Sequence, residues 1–121
     1  MGFEIGTILF SRFSGYLGVI SMDRACDILS RYPPHAQNDF YTKMRDAKNI
    51  DGPVVLLYCP LIERDKERGA PVRVFCEGAI KDWRIVNLEA ELEEIEKMDD
   101  NEREWRLMQL DALALEFSQA A

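Results

Sequence analysis

Residues 54–59 read VVLLYC and residues 72–80 read VRVFCEGAI, and these two stretches decide the fold. The first is a continuous apolar run of β-forming residues, which predicts a strand covered on both faces. The second alternates, which predicts a partner strand with Val72, Val74 and Cys76 on one face and Arg73, Phe75 and Glu77 on the other. Between them lies a charged turn, Glu63 to Pro71, containing Gly69. The pair therefore reads as a β-hairpin. A hairpin centred midway between Cys59 and Cys76 sets the two cysteines opposite one another, and two small buried thiols are favoured over a disulfide.

Working outward toward the N-terminus, Phe3 to Phe10 (FEIGTILF) and Tyr16 to Ile20 read as a strand, a turn and a strand. Ser21 is a good N-cap, with Asp23 in the first turn of the helix it opens. Met22, Ala25, Cys26, Ile28, Leu29 and Tyr32 form that helix's apolar stripe, and Pro33-Pro34 stops it. A second helix is expected from Asn38 as cap, with Phe40, Met44 and Ala47 on one face. Asn49 to Pro53 is a turn cluster.

Beyond the hairpin, Trp83 to Val86 predicts a short strand or a helix entry. Asn87 caps an amphipathic helix with Leu88, Leu92, Ile95 and Met98 on its apolar side. Asp99 and Glu102 form a D-x-x-E capping-box variant, so a second C-terminal helix is expected, lined by Trp105, Met108, Leu110, Leu113, Leu115 and Phe117. The fold class is therefore α+β: a small mixed or antiparallel sheet of four to five strands, two early helices and one or two C-terminal amphipathic helices, in a single domain spanning 1–121.

The formal net charge is −7, but it is not evenly spread. Residues 1–88 carry 12 Lys/Arg against 11 Asp/Glu, net +1, and residues 89–121 carry 3 against 11, net −8. The chain is thus a near-neutral body with an acidic helical segment. Such a field repels nucleic acid and favours a basic partner. Residues Ile5 to Ile20 are apolar, yet Glu4 stands where a signal peptide needs basic residues. Arg12 interrupts the run, and it is too short to span a bilayer. With three cysteines, an odd number, a reducing, cytoplasmic setting is expected.

No cofactor, metal or catalytic motif stands out. There is no G-x-S-x-G elbow, Walker loop or G-x-G-x-x-G turn. His35 is the sole histidine, and Cys26, Cys59, Cys76 and His35 lack the paired spacing of a zinc site. The mixed charges of Arg64, Lys66 and Arg68 with Glu63, Asp65 and Glu67 read as a solvated hairpin tip. Arg73, Lys81 and Arg84 with Phe75 and Trp83 make a weak basic strip interrupted by Glu77 and Asp82.

The sequence therefore predicts a non-enzymatic protein-binding inhibitor or modulator that docks an acidic helical face on a basic protein surface. The residues assigned to that contact are Glu89, Glu93, Glu94, Glu96, Asp99, Asp100, Glu102, Glu104 and Trp105. Nucleic-acid mimicry by these carboxylates is one route. Small phage-encoded inhibitors of host defence, immunity proteins and antitoxins share this general character, a similarity of type and not of sequence. The apolar excess of the last helix suggests a homodimer through it. The alternative is a small-molecule-binding or enzymatic domain with a pocket between the sheet and the early helices, using Tyr58, Arg73, Glu77 and His35.

Overall fold

The computed structural model describes residues 3–47, 52–61 and 69–119. The expected turn at Asn49 to Asp51 and the hairpin tip Glu63 to Arg68 lie outside them. The elements run β1 (Ile8–Ser11), β2 (Gly15–Val19), α1 (Met22–Leu29), α2 (Pro34–Ala47), β3 (Val54–Tyr58), β4 (Val72–Cys76), α3 (Glu77–Ile80), β5 (Arg84–Ile85), α4 (Leu88–Glu96) and α5 (Asp100–Gln119). The strands form one antiparallel sheet in the order β4-β3-β2-β1-β5. The α+β class stands. No helix among the described residues is long and apolar enough to cross a membrane.

Local chemistry explains where the elements begin. The Ser21 hydroxyl accepts from the Arg24 N–H at 3.1 Å and opens α1, and Asn87 Oδ1 accepts from the Ala90 N–H at 3.2 Å to open α4. Asp99 Oδ1 accepts from the Glu102 N–H at 2.9 Å and caps α5. The Glu102 carboxylate turns instead to Arg106, at 3.0 Å, so half of the capping box forms.

Four boundaries differ from the sequence expectation. The first strand begins at Ile8 rather than Phe3, because Gly6 at φ +95° and the Thr7 N–H to Glu4 carbonyl bond fold the preceding residues into a tight turn. Helix α1 ends at Leu29, where the chain tightens into i−3 bonds from Arg31 and Tyr32. Helix α2 opens at Pro34, four residues before Asn38. A proline suits the first helical position, since its fixed φ is helical and its missing N–H would have no partner there. Strand β4 stops at Cys76. The Glu77 N–H is taken by the Pro53 carbonyl at 2.8 Å, and residues 77–80 make one helical turn.

The β3–β4 register pairs Tyr58 with Val72 and Val54 with Cys76. Cys59 therefore lies by Pro71, whose carbonyl takes its N–H at 2.8 Å, and Cys76 sits at the far end of the hairpin. The two cysteines do not face each other. Cys26, Cys59 and Cys76 form no disulfide.

Both sheet faces are covered, as the unbroken VVLLYC run requires. On the helix side Tyr16, Leu56, Tyr58 and Val72 pack with Ile28, Leu29, Phe40, Ile95, Leu110 and Leu113. On the other side Leu9, Leu17, Val19, Val55 and Leu57 pack with Ile80, Phe75 and Trp83. Each fully buried Leu or Ile stabilises the fold by roughly 1.5–3 kcal/mol. Helix α5 lies directly on β2. It can do so because Gly15 and Gly18 lack a Cβ: one added at Gly18 would stand 2.6 Å from Phe117 Cζ. The ladder with β3 stops at Gly18, and Gln109 Oε1 accepts from the Tyr16 N–H at 2.8 Å. A helix side chain here satisfies a strand backbone group.

Candidate functional site

The acidic segment divides into an inward and an outward face. Helical spacing puts residues 88, 91, 92, 95 and 98 along one broad stripe, with 91, 95 and 98 toward one edge and 88 and 92 toward the other. The structure turns the first set inward. Glu91 is 6% exposed and Ile95 1%, while Leu88 is 48% and Leu92 39% exposed. The expectation that Leu88 and Leu92 serve the core is thereby corrected. The physical cause is a polar network that holds Glu91 against the sheet.

In that network, Arg84 of β5 donates to Glu91 Oε1 at 2.6 Å and to Oε2 at 3.1 Å, a bidentate fork. The Tyr16 hydroxyl of β2 donates to Glu91 Oε2. Arg106 of α5 donates to the Tyr16 hydroxyl at 3.1 Å and lies 3.5 Å from Glu91 Oε2. The two guanidiniums also sit against the Phe10 ring of β1, at 5.0 and 4.7 Å from its centroid. Four elements meet at one carboxylate. The fork from Arg84 holds the Glu91 carboxyl below its ordinary pKa, against the opposing effect of burial. Burial first, and then the hydrogen bond to Glu91, raise the Tyr16 phenol to about 12.

A second buried pair, Arg24 with Glu116, ties α1 to α5. Both networks use polar residues on the sheet-facing side of the C-terminal helices. Sequence reasoning missed them because it read the acids of residues 89–121 as one outward charge field and drew the lining of α5 from apolar residues alone. The usable signal was spacing: 106, 109, 110, 113, 116 and 117 follow one helical face.

Of the residues assigned to partner contact, Glu89, Glu93, Glu94 and Glu96 are exposed on α4. Glu94 pairs with Lys97 at 3.2 Å, Asp100 with Arg103 at 2.8 Å and Glu102 with Arg106 at 3.0 Å. Asp99 is spent in part on its capping bond. Among the described residues Glu89, Glu93, Glu96 and Glu104 have no ion-pair partner. Trp105 is half-buried and lines an open cleft with Phe10, Arg12, Asp99, Asp100 and Arg106.

Leu88 of α4 continues into an apolar groove. Ile85, Val86, Leu88, Leu110, Ala114 and Phe117 line it, beside the edge strand β5. Ile85 is 61% exposed. The groove thus has an apolar floor, with the carboxylates of Glu89, Glu93 and Glu96 on the same helix as Leu88 and Leu92.

The residues named for a small-molecule pocket are not brought together. Tyr58 is in the helix-side core. His35 and Arg73 line one cavity with Asp39 and Lys43, and Glu77 lines another. Nor do Arg73, Lys81 and Arg84 make a strip, because Arg84 is turned to Glu91 and Phe10. Comparison with protein-family models, curated proteins and solved structures finds no match to this chain.

Proposed function

We propose that this protein is a cytoplasmic, non-enzymatic protein-binding module that seats a basic amphipathic segment of another protein on the apolar groove beside β5 and on the neighbouring exposed, acidic side of α4. The observation that carries the reading is the rotation of α4, which turns Glu91 and Ile95 inside and leaves Leu88 and Leu92 outside. A helix that leaves Leu88 and Leu92 in water, with Leu88 lining one groove with Ile85, holds apolar surface that a partner can cover. The unpaired Glu89, Glu93 and Glu96 lie four and three residues apart. Like charges at such spacing disfavour the free helix and attract lysine or arginine.

The interleaving of leucine with glutamate supports an amphipathic protein segment over mimicry of a phosphate backbone, which offers no apolar surface to bury. Capping a basic segment would occlude it from its other ligands, the action of an inhibitor or modulator.

The test uses a Leu/Lys amphipathic model peptide, titrated against the protein by calorimetry and amide chemical shifts. Binding is expected to shift Ile85, Leu88, Leu92 and Phe117, and to weaken with salt. Replacing Leu92 with Ser, or Glu89, Glu93 and Glu96 together with Gln, is expected to weaken it at least tenfold. A lysine-only peptide should not bind comparably. Equal binding of both peptides, or shifts centred elsewhere, would overturn the proposal.

A further inference from the structure

We infer that the cavity where β2 ends and β3 begins is a second, separate binding site, for a small organic monocation: a primary ammonium on an apolar body. The cavity holds about 480 Å³, within the range of small-molecule sites. Phe3, Ile20, Met44 and Val54 supply apolar walls. Ile5 and Met22, both large apolar residues left exposed, also line it. Methionine suits such a place, because its flexible thioether adapts to the shape of what binds.

Glu77 is the one charged residue among the described residues that line this cavity. Its Oε2 is buried and has no hydrogen-bond partner. A carboxylate oxygen removed from water without a donor is costly, and a buried polar atom left so calls for a missing partner. The fold gives Glu77 a reason to be where it is, since its N–H closes on the Pro53 carbonyl. That bond fixes the backbone and leaves Oε2 without a donor.

An ammonium seated against the Glu77 side chain supplies the countercharge, and donates to Oε2 once that side chain turns the buried oxygen into the cavity, while the apolar walls take the rest of the ligand. A metal ion fits poorly. No group of three or more His, Cys, Asp or Glu that could hold one occurs among the described residues, and hard cations need several oxygen ligands. An anion is repelled by the carboxylate, and a neutral apolar molecule would leave Oε2 as it is. The chemistry therefore selects a cation with an apolar body. This site is distinct from the α4 groove, which is lined by other elements.

The test compares n-hexylammonium with 1-hexanol, which share a chain and differ in charge. The full-length protein carries 13C-methyl methionine, and the methyl signals of Met22 and Met44 report occupancy. Hexylammonium is expected to shift both and to bind at least tenfold more tightly than hexanol. Glu77→Gln, which keeps the side chain's shape, is expected to remove that preference and leave hexanol binding unchanged. A circular-dichroism melt of Glu77→Gln checks that it folds; if it does not, Met44→Leu, which keeps the carboxylate, must retain the preference for the ammonium. Equal binding of the two probes, no binding of either, a Glu77→Gln protein that still prefers the ammonium, or ammonium shifts confined to α4 and α5 would each overturn the inference.

Discussion

Phe117 occupies the space that a side chain on Gly18 would need. A Cβ there would stand 2.6 Å from Phe117 Cζ and 2.8 Å from Leu113 Cδ2. The closeness of α5 to β2 therefore rests on a missing methyl group. Gly18→Ala is expected to destabilise the protein by about 1–3 kcal/mol, as overpacking of a filled core does. Urea denaturation measures this. Phe117→Leu in the same chain should recover part of the loss, and the double-mutant cycle gives the coupling. Additive losses would show that α5 is not seated there.

Acid should weaken the protein through Glu91. Its folded pKa is lowered, chiefly by the Arg84 fork. The stabilisation is therefore present above the unfolded carboxylate value of about 4.3 and is lost as pH falls through the lower folded value. Glu91→Gln is expected to cost about 3 kcal/mol at neutral pH, since it leaves Arg106 and the Tyr16 hydroxyl without their anion. Denaturation midpoints at pH 7 and at about pH 3 should show the gap between wild type and variant shrinking in acid.

Tyr16 predicts the opposite limb. Its phenol is raised to about 12, so the folded state favours the protonated form. The contribution is complete below the unfolded value of about 10 and fades as pH rises from there toward the folded one. Phenolate absorbance should show a tyrosine titrating near 12, and Tyr16→Phe should remove that step. If Tyr16→Phe leaves the alkaline absorbance curve unchanged in form, the hydroxyl is not held as described.

The orientation of α4 makes two neighbouring apolar residues behave differently. Ile95→Ala should cost about 2–4 kcal/mol, a large-to-small change in a closed core. Leu92→Ala should cost under about 1 kcal/mol, because the side chain already meets water. Thermal melts of the two variants decide it. A larger loss at Leu92 would mean that the helix presents its leucines inward.

Periodicity carried most of the fold. The VVLLYC run, the alternation of VRVFC, and the caps at Ser21, Asn87 and Asp99 all lie where the sequence places them, because each depends on residues within one turn or one strand. Register did not carry over. The β3–β4 pairing that separates Cys59 from Cys76 depends on how many residues the turn takes up, and the side-chain pattern does not state that. Nor did the choice of inward face on α4. The apolar stripe of that helix is broad, and the edge with Glu91 wins through Tyr16, Arg84 and Arg106, which are 75, 7 and 15 positions away in sequence. The acidic surface was legible as composition. Its division into paired, capping and unpaired carboxylates, and the apolar groove beside it, needed the three-dimensional arrangement.

The seating of α5 on the β1–β2 hairpin has a consequence for how the chain is made. Synthesis runs from the N-terminus at roughly 5–20 residues per second, so β2 leaves the ribosome many residues before the helix that shields it. Until residues 100–119 emerge, the Tyr16 amide lacks Gln109 and its hydroxyl lacks Arg106, and the surface around Gly15 and Gly18 stays uncovered. The contacts that close the core join residues as far apart as Tyr16 and Gln109, 93 positions in sequence, so they form only once α5 has emerged, and until then the half-made chain must be kept from sticking to its neighbours.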